Sequence, residues 1–240
     1  MPDDILEAKA KGFAEELAQT VSGFTGQDCE FVAQITASHV SVTHADPKGI
    51  PLTVGAVPHV TLIIEYQCDW DSSGQYLAIA SSWVQVFPGT KVNKEPLFRY
   101  EYLRKPNGNI PCAHLQVHAH RDAFTHALSA AGRNSTRGKR LGTRDPGEPP
   151  ALSAYHFPLG GTRFRPCLED VLQSLQDEFG LDAAPGWEDA LCQGRERWRK
   201  RQIGASVRDS PEQAARVLRE LGYRVEGTPL GDRLAHLRQI

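Results

Sequence analysis

Between residues 3 and 20 apolar side chains recur every three or four positions: Leu6, Ala10, Phe13 and Leu17, with Val21 just beyond. That spacing follows one side of a 3.6-residue turn and predicts an N-terminal amphipathic helix. The period then changes. EFVAQITASHVSV, Glu30 to Val42, is rich in β-branched residues and roughly alternates, as half-buried strands do. PHVTLIIEYQCDW and QYLAIASSWVQVF flank the turn-like DSSG and predict a hairpin. PLFRYEYLRK and IPCAHLQVHAH flank PNGN and predict a second, because Asn-Gly supplies the positive φ angles that a two-residue hairpin turn needs.

Residues 122–131 read as a short helix, and residues 153–166 as one more strand or a small Gly-Gly hairpin. Between them, residues 132–152 lack apolar periodicity and are dense in Gly, Pro and Arg, which predicts a mobile basic loop. The remainder reads as helices. Pro166 and Gly180 bracket the first, and Trp187, Leu191 and Trp198 mark a buried stripe on the second. The third has Ser210 as cap, Pro211 in its first turn, Gln213 as capping-box partner and Gly222 as stop. This order predicts an α+β fold: an N-terminal helix, an antiparallel β-meander of four to six strands, and C-terminal helices packed on the sheet. Residues 1–166 would carry the first helix and the sheet, and residues 167–240 the helical part of the same compact domain.

The second hairpin defines a polar face. A two-residue loop at Asn107-Gly108 or Gly108-Asn109 puts Arg99 and Glu101 on the face of His114, Gln116 and His118. Phe98, Tyr100 and Tyr102 then join Ala113, Leu115, Val117 and Ala119 on an apolar face. A three-residue loop would flip the pairing and mix tyrosines with histidines. The cleaner segregation favours the two-residue loop.

Composition narrows the classes. The chain has 240 residues, 40% hydrophobic and 23% charged, with a formal net charge of −2. This balance gives no global drive towards nucleic acid or an anionic membrane. No apolar run reaches the roughly 18–20 residues that span a bilayer. The acidic, amphipathic N-terminus does not read as a signal peptide. Five scattered cysteines without a C-x-x-C pair fit reduced thiols in a cytoplasm.

The histidine face suggests chemistry. His118 and His120 are about 6.6 Å apart along a strand and could flank one substrate atom as acid and base. Imidazole suits both roles because its ordinary pKa of about 6.5 leaves both forms populated near neutrality. Glu101 would orient an imidazole, and Arg99 would clamp a phosphate and offset charge in the transition state. His114 completes the catalytic set. Gln116, Arg163 and Arg165 would extend the substrate surface, joined by Arg137, Lys139 and Arg140 of the basic loop. The set fits a metal-independent ribonuclease-like hydrolase or transferase with RNA or a nucleotide as substrate. No cofactor is expected, although a divalent metal stays open: His118 and His120 could share an ion, with His156, Glu101 or His126 as third ligand. A third reading is a non-enzymatic module that binds nucleic acid or protein through the basic loop.

LFRYEY at Leu97–Tyr102 and HLQVHAH at His114–His120 resemble the TumE-type toxins of bacterial toxin–antitoxin pairs. That family has an aromatic-Arg-Tyr strand followed by a histidine-rich strand in a small α+β fold. The likeness covers about 30 residues. It departs at Glu101-Tyr102, where the family tends to have Asp-Asn. The resemblance implies a growth-inhibiting toxin acting on RNA, with an antitoxin protein as partner and no membrane.

Overall fold

A computed structural model describes residues 2–36, 39–70, 77–92, 95–105, 112–118, 127, 165–228 and 230–232. The first helix, α1 (Pro2–Thr25), continues past residue 20 because Val21 and Phe24 extend the apolar stripe of Ala10, Ala14 and Leu17; all five are buried. Gly26, at φ 70°, takes the left-handed turn that ends it.

Among the described residues seven strands follow: β1 (Phe31–Ile35), β2 (Val40–His44), β3 (Ile50–Val54), β4 (Val57–Trp70), β5 (Leu77–Pro88), β6 (Phe98–Leu103) and β7 (Ala113–Val117). They form one antiparallel sheet in the order β1-β2-β4-β5-β6-β7. The long β4 pairs with β2 through its second half and with β3 through its first. β3 is the strand beyond the expected count. Its turn to β4 runs through Gly55 at φ 59° and Ala56 at φ 63°.

Alternation along the strands separates two faces. On one, Val60, Leu62, Ile64, Tyr66 and Cys68 of β4 are buried with Val84 and Val86 of β5 and Phe98 and Tyr100 of β6. The helices pack there: Phe13 of α1 meets Tyr66 edge-on with ring centroids 5.1 Å apart. On the other face the register aligns Thr43, Glu65, Trp83, Glu101 and His114 in one row across five strands.

The C-terminal helices are α2 (Leu168–Phe179), α3 (Trp187–Asp209) and α4 (Pro211–Glu220). A capping box opens α2, with the Asp170 carboxylate accepting from the Cys167 N–H at 3.2 Å. Gly180, at φ 62°, closes it. Leu191 of the expected α3 stripe is buried, whereas Trp187 and Trp198 are half-buried. α1 and α3 approach so closely that a Cβ on Gly23 would lie 2.8 Å from the Ala190 Cβ. At α4 the expected Ser210–Gln213 box does not form. Ser210 Oγ instead donates to Asp232 at 2.9 Å, and Asp232 accepts from the Glu212 N–H at 3.2 Å. A carboxylate beside the first turn complements the helix dipole better than a hydroxyl does.

Three cations in the basic run of α3 are paired: Arg195 with Asp170 at 2.8 Å, Lys200 with Glu196 at 2.5 Å and Arg201 with Glu16 at 2.5 Å. Among the described residues no helix is long and apolar enough to cross a membrane.

Candidate functional site

β6 and β7 pair so that Glu101 faces His114, Arg99 faces Gln116, and Tyr100 faces Leu115. Arg99, Glu101, His114 and Gln116 therefore share the outer face, and Phe98, Tyr100 and Tyr102 the core face. His118 follows β7 directly, its backbone N–H donating to Leu97 O at 3.0 Å.

Glu101 is the hub of the outer face. Its side chain is only 10% exposed. Trp83 of β5 donates its indole N–H to Oε1 at 2.9 Å, while Arg99 Nη2 and His114 Nε2 lie 3.2 and 3.3 Å from Oε2. A carboxylate withdrawn from water costs several kcal/mol unless it is paired and hydrogen-bonded. The indole and the guanidinium offset that cost and fix the carboxylate's orientation.

Glu101 thus partners His114, and a different carboxylate orients His118. Glu95, just before β6, places Oε1 2.8 Å from His118 Nδ1. A carboxylate at that distance selects the tautomer with the proton on Nδ1 and leaves Nε2 as an acceptor. His118 Nε2 and Arg99 Nε are both buried and without a hydrogen-bond partner among the described residues. Such orphaned polar atoms cost about 1–3 kcal/mol each. One is an acceptor and the other a donor. Arg99 is a diagonal neighbour of both His114 and His118, at about 7–8 Å between Cα atoms. The face therefore holds two imidazole–carboxylate pairs with a guanidinium between them.

Arg165 does not join this face. Its guanidinium carbon lies 3.9 Å from the centroid of the Tyr102 ring and 5.7 Å from that of Trp198, on the helix side of the sheet. Tyr102 differs in parity from Glu101, so β6 itself separates Arg165 from Arg99. His120, Arg137, Lys139, Arg140, His156 and Arg163 lie outside the described residues, as do the basic loop, the expected helix apart from the helical, buried Ala127, and the extra strand apart from residues 165 and 166. Among the described residues no three His, Cys, Asp or Glu side chains gather as a metal site.

Trp83 and Glu95 were not singled out in the sequence. For Trp83, only the β5–β6 register, which sets it opposite Glu101, shows the polar role. Glu95 lies in the β5–β6 connection, where no periodicity assigns a direction to its side chain. The chain matches no protein-family model, no curated protein and no solved structure.

Proposed function

We propose that the outer face of β6 and β7 is a histidine-dependent phosphoester-cleaving or nucleotidyl-transfer site that works without a metal. The observation that carries this reading is the pair of uncommitted atoms, His118 Nε2 and Arg99 Nε, on diagonal neighbours of one face. Arg99, steadied by Glu101, takes the phosphoryl oxygens and offsets the charge that builds on them. His118 Nε2 accepts the proton of an attacking hydroxyl or water, and Glu95 stabilises the imidazolium that results. A second imidazole must protonate the leaving group. His120, at the same parity, and His114, on the near side of Arg99, are the two candidates. His114 and His118 are about 13 Å apart along the strand, so His114 serves only a substrate that bridges Arg99.

RNA or a nucleotide is the substrate class that this set suits. The resemblance to TumE-type toxins adds a cytoplasmic toxin, held in check by an antitoxin protein, as the biological setting. The test is cleavage of RNA oligomers, dinucleotides and a chromogenic phosphodiester in the presence of a chelator. His118→Ala is expected to lower the rate at least about 100-fold and Glu95→Gln about 10-fold, with little change in Tm. A parent protein inactive on all three substrates, or a His118→Ala variant as active as the parent, overturns the proposal and favours a binding module. Activity that the chelator abolishes favours the metal-dependent alternative.

A further inference from the structure

The strand register gives Arg99 neighbours that the phosphoryl chemistry does not use. Ile63 of β4, Gln85 of β5, Arg99 and Gln116 of β7 stand side by side in one row of the outer face. Arg99 therefore lies between two carboxamides. Both are half-buried, and neither makes a hydrogen bond among the described residues. A carboxamide carries a donor and an acceptor on one edge, so each keeps a full pairing edge open. The two flanks of Arg99 differ. On the β7 side stand the imidazoles of His114 and His118. On the β5 side Gln85 is bordered by Ile63 across the strands and by Trp83 two residues along, both half-buried. Beyond Trp83 in its row stands Glu65, a carboxylate that accepts from Gln67 Nε2 at 2.7 Å and disfavours a second anion on that side.

An indole, an aliphatic side chain and a neutral carboxamide match a heteroaromatic ring, which has apolar faces and a hydrogen-bonding edge. Neighbouring strands are about 4.8 Å apart, so a ring on Gln85 and a phosphoryl group on Arg99 fit within one nucleotide. Adenine, through N6 and N7, matches a carboxamide in donor and acceptor alike. Guanine is better matched by a guanidinium, and here the guanidinium is committed to the phosphate. We propose that Gln85, with Trp83 and Ile63, forms a nucleobase subsite, adenine its best occupant, beside the phosphoryl position at Arg99. This subsite rests on the phosphoryl reading of Arg99 and adds the part of the substrate that sets specificity.

The test is isothermal titration calorimetry of the full chain with adenosine 5′-monophosphate and, in parallel, ribose 5-phosphate. The nucleotide is expected to bind at least about tenfold more tightly, the worth of one bidentate edge or one stacked base. Gln85→Met keeps length and shape but loses donor and acceptor, and is expected to cut that preference at least about fivefold. Arg99→Gln is expected to weaken both ligands by similar factors. Equal affinities that Arg99→Gln lowers together would overturn the base subsite and leave the phosphoryl reading in place. A preference that survives Gln85→Met intact also overturns the subsite. Binding of neither ligand, or binding indifferent to Arg99→Gln, removes the phosphoryl reading and the subsite with it. Should Gln85→Met fold poorly, the parent alone supplies a second measurement. Adenosine 5′-monophosphate is expected to quench its tryptophan emission where ribose 5-phosphate does not, and equal responses to the two contradict the subsite.

Discussion

Adjacent residues of β6 point into opposite chemistries, and each side of the strand holds an arginine. On the outer side Arg99 is balanced by Glu101, which the Trp83 indole also holds. On the helix side Arg165 is met by the rings of Tyr102 and Trp198. Charge pairing fixes the first guanidinium among polar groups that can move protons. Aromatic rings flank the second. The difference teaches that strand parity separates the groups, while neighbours remote in sequence decide what each arginine can do.

The sharpest way to break this comparison is to remove one residue from each side. Phe98 is buried on the core side, and Phe98→Ala is expected to cost about 3–5 kcal/mol in denaturant unfolding. Gln116→Ala, half-buried on the outer side, should cost about 0.5 kcal/mol or less. Comparable losses would mean that the two faces do not differ as described. Next comes Glu101→Ala, which strands the Trp83 N–H and Arg99 together. A loss of about 2–3 kcal/mol is expected, against a smaller one for Glu101→Gln, whose amide oxygen still accepts from the indole. Equal effects of the two substitutions would remove Glu101 from the centre of the outer face.

A smaller effect tests the clamp that holds β3 to β4. Asp182 accepts from Thr53 Oγ1 at 2.7 Å, the Gly55 N–H at 2.9 Å and the Ala56 N–H at 2.7 Å. These bonds, led by the one from Ala56, hold its carboxyl below the usual range. A depressed folded value means that the unfolded chain binds the proton first. The contribution is therefore complete above the unfolded pKa of about 3.9 and fades as pH falls through the lower folded value. Asp182→Ala is expected to cost about 1 kcal/mol near neutrality, since the group is exposed, and the difference from the parent should shrink in acid. A difference that grows in acid contradicts the clamp. Smallest of all, Lys200→Ala, at an exposed pair with Glu196, should change stability by less than about 0.5 kcal/mol.

Local pattern made much of this molecule legible. The α1 stripe, the Gly180 stop and the segregation of Arg99, Glu101, His114 and Gln116 from Phe98, Tyr100 and Tyr102 follow from period and turn chemistry alone. What the sequence concealed has distant causes. Ala56 adopts a left-handed turn with help from Asp182, 126 residues away. Asp232 replaces Ser210 as the acceptor at the start of α4. Glu95 and Trp83 reach the histidine face from a connection and from a neighbouring strand. Arg165 sits on the side that its approach to α2 dictates, away from the basic surface expected for it. Such contacts depend on how whole elements meet, which no short window of sequence records.

The central claim is that Arg99 and His118 act on one phosphoryl group. It is tested most directly by kcat/KM for an RNA dinucleotide in Arg99→Gln, His118→Ala and the double variant. Residues that work as a unit lose little more together than apart. Each single variant is expected to fall at least about 100-fold, with the double no more than about tenfold below the worse single. Singles that match the parent, or a double whose loss is the product of two independent losses, would contradict the account.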